Sequence, residues 1–179
     1  MTEPDPAKIT VEGYDPESQR PLGGYAVLIG VYHGLTALGI VGLRRAGRPF
    51  PPRLGWVDVA LYGIATHKIS RLLAKEKIAG VIRAPFTRYE RPGSPGELEE
   101  AARGSGARYA IGELLTCPYC LAHWIGTALI LGTSADRRLT RTVATLFTIE
   151  AISDTLQIAY KSAERHGLES PLDAPERPR

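Results

Sequence analysis

A mostly apolar stretch near the start of the chain, from Gly24 to Leu43, carries no formal charge and one histidine. About 20 such residues suffice to cross a bilayer as an α-helix. Four glycines inside it would weaken a soluble helix by up to about 1 kcal/mol each, whereas small residues let membrane helices approach closely. Arginines follow at once, as they do at the end of a membrane span. The pattern predicts a membrane-crossing helix over residues 24–45, with a buried helix of a soluble bundle as the alternative.

Three further stretches have helical periodicity, over residues 56–75, 107–132 and 139–164. The first of these carries Lys68 and Arg71, and a charge at the bilayer centre costs at least about 2.5–3.5 kcal/mol on insertion scales. That helix is therefore expected to lie in the membrane interface or to turn its polar face towards a neighbour. Glu150 and Asp154 of the last helix offer the complementary charge. The alternative is that this acidic face meets water.

The expected fold is all-α, with three to four membrane-associated helices in a single helical membrane domain over residues 24–164. Residues 1–23 are acidic and rich in proline, and residues 165–179 are rich in proline, so both are predicted to be disordered tails. Residues 76–106 are predicted to form a long basic linker without a strand of weight. Its acidic residues are interpreted as a solvated cluster (Glu97, Glu99 and Glu100). A short strand over residues 107–111 is a minor alternative to the helix predicted there.

Two arginines stand out in this linker, Arg83 and Arg88, because they flank Pro85 and Phe86. Guanidinium groups bind carboxylates and phosphates in a bidentate manner, so the pair is a candidate contact for an anion or a lipid headgroup. The alternative is that Phe86 packs against the protein while both arginines are solvated.

Charge is unevenly distributed along the chain, which has a formal net charge of +3. Residues 44–108 hold 13 Lys and Arg against six Asp and Glu, so the positive charge belongs to the middle of the chain. Nucleic acid is not the expected partner, because the aromatic residues do not alternate with the basic ones. Membrane lipids, a protein partner or a second copy of the chain fit better. Because cationic loops stay inside, we expect a multi-pass cell-membrane protein with the basic linker and the cysteines in the cytoplasm.

Both cysteines of the chain lie in one block, Cys117-Pro118-Tyr119-Cys120. Proline is tolerated in the first turn of a helix, so Cys117 is predicted at the N-cap and Cys120 one turn further on. Free backbone N–H groups there favour a thiolate at Cys117. Glutaredoxins carry the same four letters, but no strand precedes the block and no βαβ pattern follows it. A covalent haem site is excluded because Leu121, not histidine, follows.

Zinc is a second possible role for this block. Cys117, Cys120 and His123 supply two or three ligands, whereas a structural zinc site takes four. Glu113, His67 or a second protomer would have to complete the site. Cytoplasmic thiols stay reduced, which favours a sensor, a metal site or simple packing of the thiols over a permanent disulfide. We expect no cofactor, with zinc as the alternative.

The chain resembles a family of small bacterial membrane proteins classed as domain of unknown function 1360. The resemblance covers about residues 56–160 and rests on Arg71-Leu72-Leu73, on Arg83-Ala84-Pro85-Phe86-Thr87-Arg88, and on Gly112-Glu113-Leu114-Leu115-Thr116-Cys117-Pro118-Tyr119-Cys120-Leu121 with Trp124. It implies a membrane protein and no known activity, and within it Pro85, Phe86, Glu113, Pro118 and Trp124 are expected to be structural. His123 departs from the family pattern, so a role common to the family is not expected of it.

Two functional hypotheses follow from these patterns. The first is a non-enzymatic integral membrane protein with a structural or interaction role, whose cytoplasmic basic linker docks a partner or lipid headgroups. The second is a membrane-associated thiol redox protein, with Cys117 as nucleophile and Cys120 as resolving thiol, or a metal-binding protein that uses the same pair. The sequence leaves open whether the protein is an enzyme.

Overall fold

A computed structural model describes residues 21–168, and the predicted tails at 1–20 and 169–179 lie outside the described residues. The described part is mostly helical, which confirms the expected helical class, but it also contains a two-stranded sheet. The helices are α1 Leu22–Arg45, α2 Trp56–Lys75, α3 Gly80–Arg83, α4 Gly106–Thr116, α5 Pro118–Ala135 and α6 Arg137–Leu168, with a 3₁₀ turn at Lys77–Ala79. The strands are β1 Thr87–Pro92 and β2 Leu98–Ala102.

The long helices form a bundle in which α1 packs on α4 and α5, α2 packs on α5 and α6, and α5 contacts α6. The two ends of this bundle differ. The hairpin end holds the start of α1, the end of α2 and the strands. The arginine end holds the end of α1, the loop at 46–55 and the start of α6. Between them α2 packs on α5 and α6 around a small core of four buried residues, Tyr62, Ala65, Leu129 and Ala144.

Besides this core, some charged groups are buried and many large apolar groups are exposed. Asp58 is 2% exposed and Arg83 is 0% exposed. Large apolar side chains on the outer faces of α1 and α6 are exposed, namely Val27, Ile29, Val31, Leu35, Leu38, Val41, Leu139, Val143, Leu146, Ile149, Ile152, Leu156 and Ile158. A globular protein in water usually has the reverse arrangement.

The predicted linker is not a loop, because β1 and β2 form an antiparallel hairpin within it. The turn between them is closed by the Glu97 amide donating to the Ser94 carbonyl, at 2.8 Å, and by the Gly93 amide donating to the Glu97 carbonyl, at 3.2 Å. Gly96 has a φ of +87°, which favours glycine at that position of the turn. The expectation of no strand in this segment was wrong, and residues 107–111 are helical in α4 rather than extended.

The acidic residues of the hairpin are not a solvated cluster, so that interpretation was also wrong. Three basic side chains pair with them: Arg71 with Glu97 at 2.7 Å, Lys75 with Glu99 at 2.8 Å, and Arg83 with Glu100 at 2.7 Å. Two of these cations belong to the last turns of α2. The ion pairs therefore hold the hairpin against the end of that helix, which is what removes the carboxylates from water.

The predicted charge coupling between α2 and the last helix is confirmed at one of its pairs. The Lys68 ammonium lies 2.8 Å from the Asp154 carboxylate and 2.5 Å from that of Glu76. Arg71 turns instead to Glu97 of the hairpin. At the arginine end a second contact between the same helices joins buried Asp58 to Arg137, at 2.5 Å, and to Arg141.

Within the described residues, only α1 has both the length and the apolar composition of a membrane-spanning helix. The bent pair α4–α5 meets the same criteria if both parts count as one span, although their axes differ by 83°. The expectation of three to four such helices is thus reduced to one or two. The interior charges of α2 and α6 are the physical reason.

Candidate functional site

A cleft of about 610 Å³ lies between α1 and the bend that joins α4 to α5. The side of α1 contributes Tyr25, Leu28, Ile29 and Tyr32, and the other side contributes Glu113, Leu114, Thr116, Cys117, Cys120, His123 and Trp124. The helices touch near Gly24, where an added Cβ would lie 2.9 Å from the Ala110 Cβ and from the Gly106 carbonyl oxygen. Contact there and the sharp bend below it leave the space that forms the cleft.

The bend arises at Cys117 and Pro118. Pro118 has no backbone N–H and stands in the first turn of α5, while Cys117 is extended, with φ −105° and ψ 102°. The Cys120 amide donates to the Cys117 Sγ at 3.2 Å. The prediction of Cys117 at the N-cap and Cys120 one turn into the helix is therefore confirmed.

The two cysteines form a disulfide, with their Cα atoms 5.3 Å apart. The reduced pair expected from a cytoplasmic location is therefore not the state of the structure. An N-cap and the third helical residue lie on adjacent sides of one turn, which brings the two sulfur atoms together. Cys120 is exposed and Cys117 is half-buried, so the two residues differ in their access to solvent.

Glu113 supplies the carboxylate of the cleft, and the Tyr25 hydroxyl donates to it. Two helical turns further along α1, the Tyr32 hydroxyl lies 2.7 Å from the Thr127 hydroxyl of α5. The Tyr32 ring packs edge-on against Trp124, with centroids 5.2 Å apart. Glu113 and Trp124, expected to be structural, thus help to hold α1 against α4 and α5.

Sequence reasoning missed Tyr25 and Tyr32 as residues of this site. They are seven residues apart, which places them on one face of a helix, and they stand among apolar neighbours. Tyrosines that share one stripe of an otherwise apolar helix are the signal that would have indicated a polar contact on that face.

A metal site is not supported at this position. His123 Nδ1 lies 3.2 Å from the Tyr119 carbonyl oxygen in its own helix. Across residues 21–168 no group of three or more histidine, cysteine and acidic side chains is placed to hold an ion. Sulfurs joined in a disulfide also lack the thiolate that binds zinc. The zinc alternative therefore loses its basis here.

Arg83 does not face solvent, so its expected role as an anion or lipid contact was wrong. Its guanidinium donates to both Glu100 oxygens, at 2.7 and 3.3 Å, and to the carbonyl oxygens of Leu73 and Glu76, at 2.8 and 3.1 Å. These hydrogen bonds all go to groups of the protein itself. Arg88 points outward and pairs with Glu90 at 3.0 Å.

Pro85 and Phe86 join the hairpin to α4 through their backbone carbonyls. The Pro85 carbonyl accepts from Arg108, at 2.6 and 3.0 Å, and the Phe86 carbonyl accepts from the Arg103 amide at 2.9 Å. The Phe86 side chain is half-buried. Arg83 and these two residues therefore belong to a structural joint, which lies apart from the cleft.

The comparisons with known proteins cover the middle of the chain. The family described as "Protein of unknown function (DUF1360)" matches residues 61–160. Sporulation protein YjcA of Bacillus subtilis (strain 168) is 32% identical over 78 residues, which is 42% of this chain and 66% of YjcA. The chain thus covers just under two thirds of that relative. No solved structure matches significantly. The family match begins in α2, so α1 lies outside it.

Proposed function

The chain belongs to the DUF1360 family of proteins of unknown function, and we propose that it is an integral membrane protein with a structural or interaction role. The observation that carries the proposal is the reversed distribution of polarity. Asp58 and Lys68 are buried and paired within the bundle, while α1 and α6 expose many large apolar side chains on their outer faces. Lipid removes the cost of exposed apolar area and raises the cost of an unpaired charge, so both features fit a bilayer.

In this proposal α1 is the main anchor, because it is long and apolar enough to cross a bilayer. Of the other long helices, α5 packs on α1, and α2 and α6 pack on α5 with their charges turned towards one another. The hairpin, which is rich in ion pairs, lies in water at one end of the bundle. No catalytic group is needed for this role.

Membrane fractionation tests the proposal. We expect the full chain to stay with membranes after a carbonate wash and to require detergent for extraction. Replacing Leu35 and Leu38 of α1, both exposed, with lysine should abolish stable insertion, since each charge costs about 2.5–3.5 kcal/mol near a helix centre. Ala46→Lys, just beyond the helix, is the control and should leave the fraction unchanged. A protein that stays soluble and monodisperse without detergent would contradict the proposal.

The disulfide also bears on orientation. The count of Lys and Arg favours a cytoplasmic hairpin, but several of those cations are neutralised by the carboxylates of β2 and its turn. Disulfides persist in oxidising compartments. We therefore propose that the hairpin end and the cysteines face outward and that the arginine end faces the cytoplasm. In intact cells, an impermeant maleimide should label Cys117 and Cys120 only after reduction. If only a permeant maleimide labelled them, and did so without reduction, the cysteines would face the cytoplasm.

A second candidate function is thiol–disulfide exchange at the cleft, favoured by the unequal exposure of the two cysteines. A substrate thiolate would attack the Sγ of the exposed Cys120, form a mixed disulfide and release the Cys117 thiolate, which the α5 N-terminus stabilises. A second thiol of the substrate would then attack its own sulfur in the mixed disulfide and release Cys120. The net result is a substrate disulfide and a reduced Cys117–Cys120 pair.

The two single cysteine variants separate exchange from a purely structural disulfide. Exchange through Cys120 predicts that Cys117→Ser accumulates mixed disulfides on non-reducing gels, whereas Cys120→Ser accumulates few. This order exchanges the roles that the sequence predicts. Equal and low amounts in both variants would leave the disulfide with a structural role only.

A further inference from the structure

A second concave surface lies at the arginine end, on the opposite side of the bundle from the cysteine cleft. It encloses about 900 Å³ between the loop that follows α1 and the junction of α5 with α6. The loop contributes Arg48, Pro49, Phe50, Pro51, Pro52 and Arg53, and the junction contributes Thr133, Ser134, Ala135, Asp136 and Arg137. We call this surface the arginine pocket.

One buried side chain of the arginine pocket has no partner. Ser134 is 6% exposed, and its hydroxyl makes no hydrogen bond within the described residues. Its neighbour Thr133 shows the usual pattern, since its hydroxyl contacts both the Tyr62 hydroxyl at 2.9 Å and the Leu129 carbonyl at 2.7 Å. Most buried hydroxyls are paired, because leaving one unpaired costs about 1–3 kcal/mol. The Ser134 hydroxyl therefore indicates a ligand that accepts a hydrogen bond.

The charge of the arginine pocket selects an anion. The guanidinium groups of Arg48 and Arg53 have no carboxylate partner within residues 21–168. Arg137 pairs with Asp58 and donates to the Arg53 carbonyl at 2.9 Å, yet its side chain is half exposed. Asp136 is the one acidic residue of the lining, and its carboxylate accepts from the Leu139 amide at 3.0 Å.

The start of α6 adds to this positive potential. α6 begins at Arg137 and extends over 32 residues, so the pocket lies at the positive end of a long helix dipole. Backbone N–H groups at such an end bind phosphate and other anions. The helix end, the guanidinium groups and the unpaired hydroxyl thus point to the same chemistry, which is a phosphate group.

We propose that the arginine pocket binds the phosphate of an anionic membrane phospholipid. The lipid is favoured over free phosphate by position, because the loop directly follows α1, the helix suited to span a membrane. Phe50 lies in the lining of the pocket, and Trp56, 89% exposed, follows the same loop in the chain at the start of α2. Tryptophan and other aromatic rings are typical of the headgroup level of a bilayer. The proposal rests on the membrane location proposed above.

Binding of defined lipids to the purified full chain tests this site. The protein is held in neutral detergent micelles and titrated with a short-chain phosphatidylglycerol, a short-chain phosphatidylcholine or inorganic phosphate, with native mass spectrometry as the readout. Both lipids carry one phosphate, but the trimethylammonium group of phosphatidylcholine cancels its net charge and is repelled by the arginines. We therefore expect phosphatidylglycerol to bind at least about tenfold more tightly. Equal affinity for the two lipids would overturn the proposal. If inorganic phosphate bound saturably and the protein did not distinguish the two lipids, the site would bind free phosphate rather than a lipid.

Three variants locate the site. Arg48→Gln with Arg53→Gln should weaken phosphatidylglycerol binding about tenfold or more, and Ser134→Ala about three- to tenfold, since each removes a donor to the phosphate. Arg138→Gln is the matched control, because Arg138 is an exposed arginine next to the pocket but outside its lining. An equal loss in the control would reduce the effect to general surface charge and overturn the site. Fractionation separately reports whether the membrane location itself is wrong.

Discussion

Replacing Arg83 with methionine tests the joint that fastens the hairpin to α2. The guanidinium is 0% exposed and the Glu100 side chain that it contacts is 7% exposed. In the variant this carboxylate keeps one hydrogen bond, from the Thr87 hydroxyl at 3.0 Å, and the Leu73 and Glu76 carbonyls lose a donor. Breaking a buried ion pair on one side costs about 3–5 kcal/mol because a buried charge is left without its partner.

The assay is thermal unfolding of the purified protein in detergent, followed by circular dichroism. For a chain of this size each kcal/mol lowers Tm by about 2–4 °C, so Arg83→Met should lower it by about 6–20 °C. Arg83→Lys keeps the charge but loses the bidentate geometry, so its Tm should fall between those of the native protein and Arg83→Met. Limited proteolysis should cut the hairpin first, because the lost contacts are those that hold it.

Arg88→Met is the matched control, since Arg88 lies in the same hairpin but its side chain is 71% exposed. Exposed ion pairs contribute about 0–1 kcal/mol, so Tm should change little. Glu100→Met in the Arg83→Met background removes the stranded carboxylate and should restore part of the stability. The reasoning would be refuted if Arg83→Met and Arg88→Met had the same Tm.

Three further changes test other contacts of the fold. Gly112→Ala should destabilise the protein by about 1–3 kcal/mol, because the added Cβ would lie 2.5 Å from the Phe86 carbonyl oxygen. Gly126→Ala is the control in the same Tm assay, because its added Cβ would lie 3.9 Å from the nearest atom, the Thr66 hydroxyl oxygen. Asp58→Asn should cost about 1–3 kcal/mol, because the buried carboxylate loses its charge while Arg137 and Arg141, 50% and 39% exposed, can turn to water; no measurable change in denaturant unfolding would contradict this. The hydrogen bond from Lys75 holds the pKa of Glu99 below its usual 4.5, so this pair stabilises fully above that pH and is lost as the pH falls through the lowered pKa. Amide hydrogen exchange in the hairpin should therefore accelerate towards pH 3 in the native protein, and that acceleration should be smaller in Glu99→Gln.

The sequence carried much of the helical architecture, because local chemistry decides those features. The break at Pro118 and the cap at Cys117 follow from the missing N–H of proline, whatever packs nearby. The contact of Lys68 with Asp154 was also predictable, since a charge in an apolar helix is costly unless it pairs with an opposite charge. These predictions needed only the sequence pattern and the free-energy cost of leaving a charge or a backbone group unpaired. They did not depend on which distant segments pack together.

The hairpin was missed because its strands lack the alternation of apolar and polar residues that usually indicates a strand. β1 reads Thr-Arg-Tyr-Glu-Arg-Pro and β2 reads Leu-Glu-Glu-Ala-Ala. Its stability comes from ion pairs with α2, and those depend on a tertiary contact that composition does not encode. The burial of Arg83 was missed for the same reason. The turn Gly93-Ser94-Pro95-Gly96 was the local signal of a hairpin.

The cysteine cleft is built from two parts of the chain, one inside the segment that matches the family and one before it. The wall with the disulfide and Glu113 lies within residues 61–160, which match the family, whereas the wall with Tyr25 and Tyr32 belongs to α1, which precedes them. α1 holds to the rest through a few side-chain contacts and close approaches at Gly24 and Gly39. The cleft therefore has one wall inside the segment that matches the family and one wall outside it. Substitutions on one face of α1 would change the space beside the disulfide while leaving every residue of the matched segment unchanged.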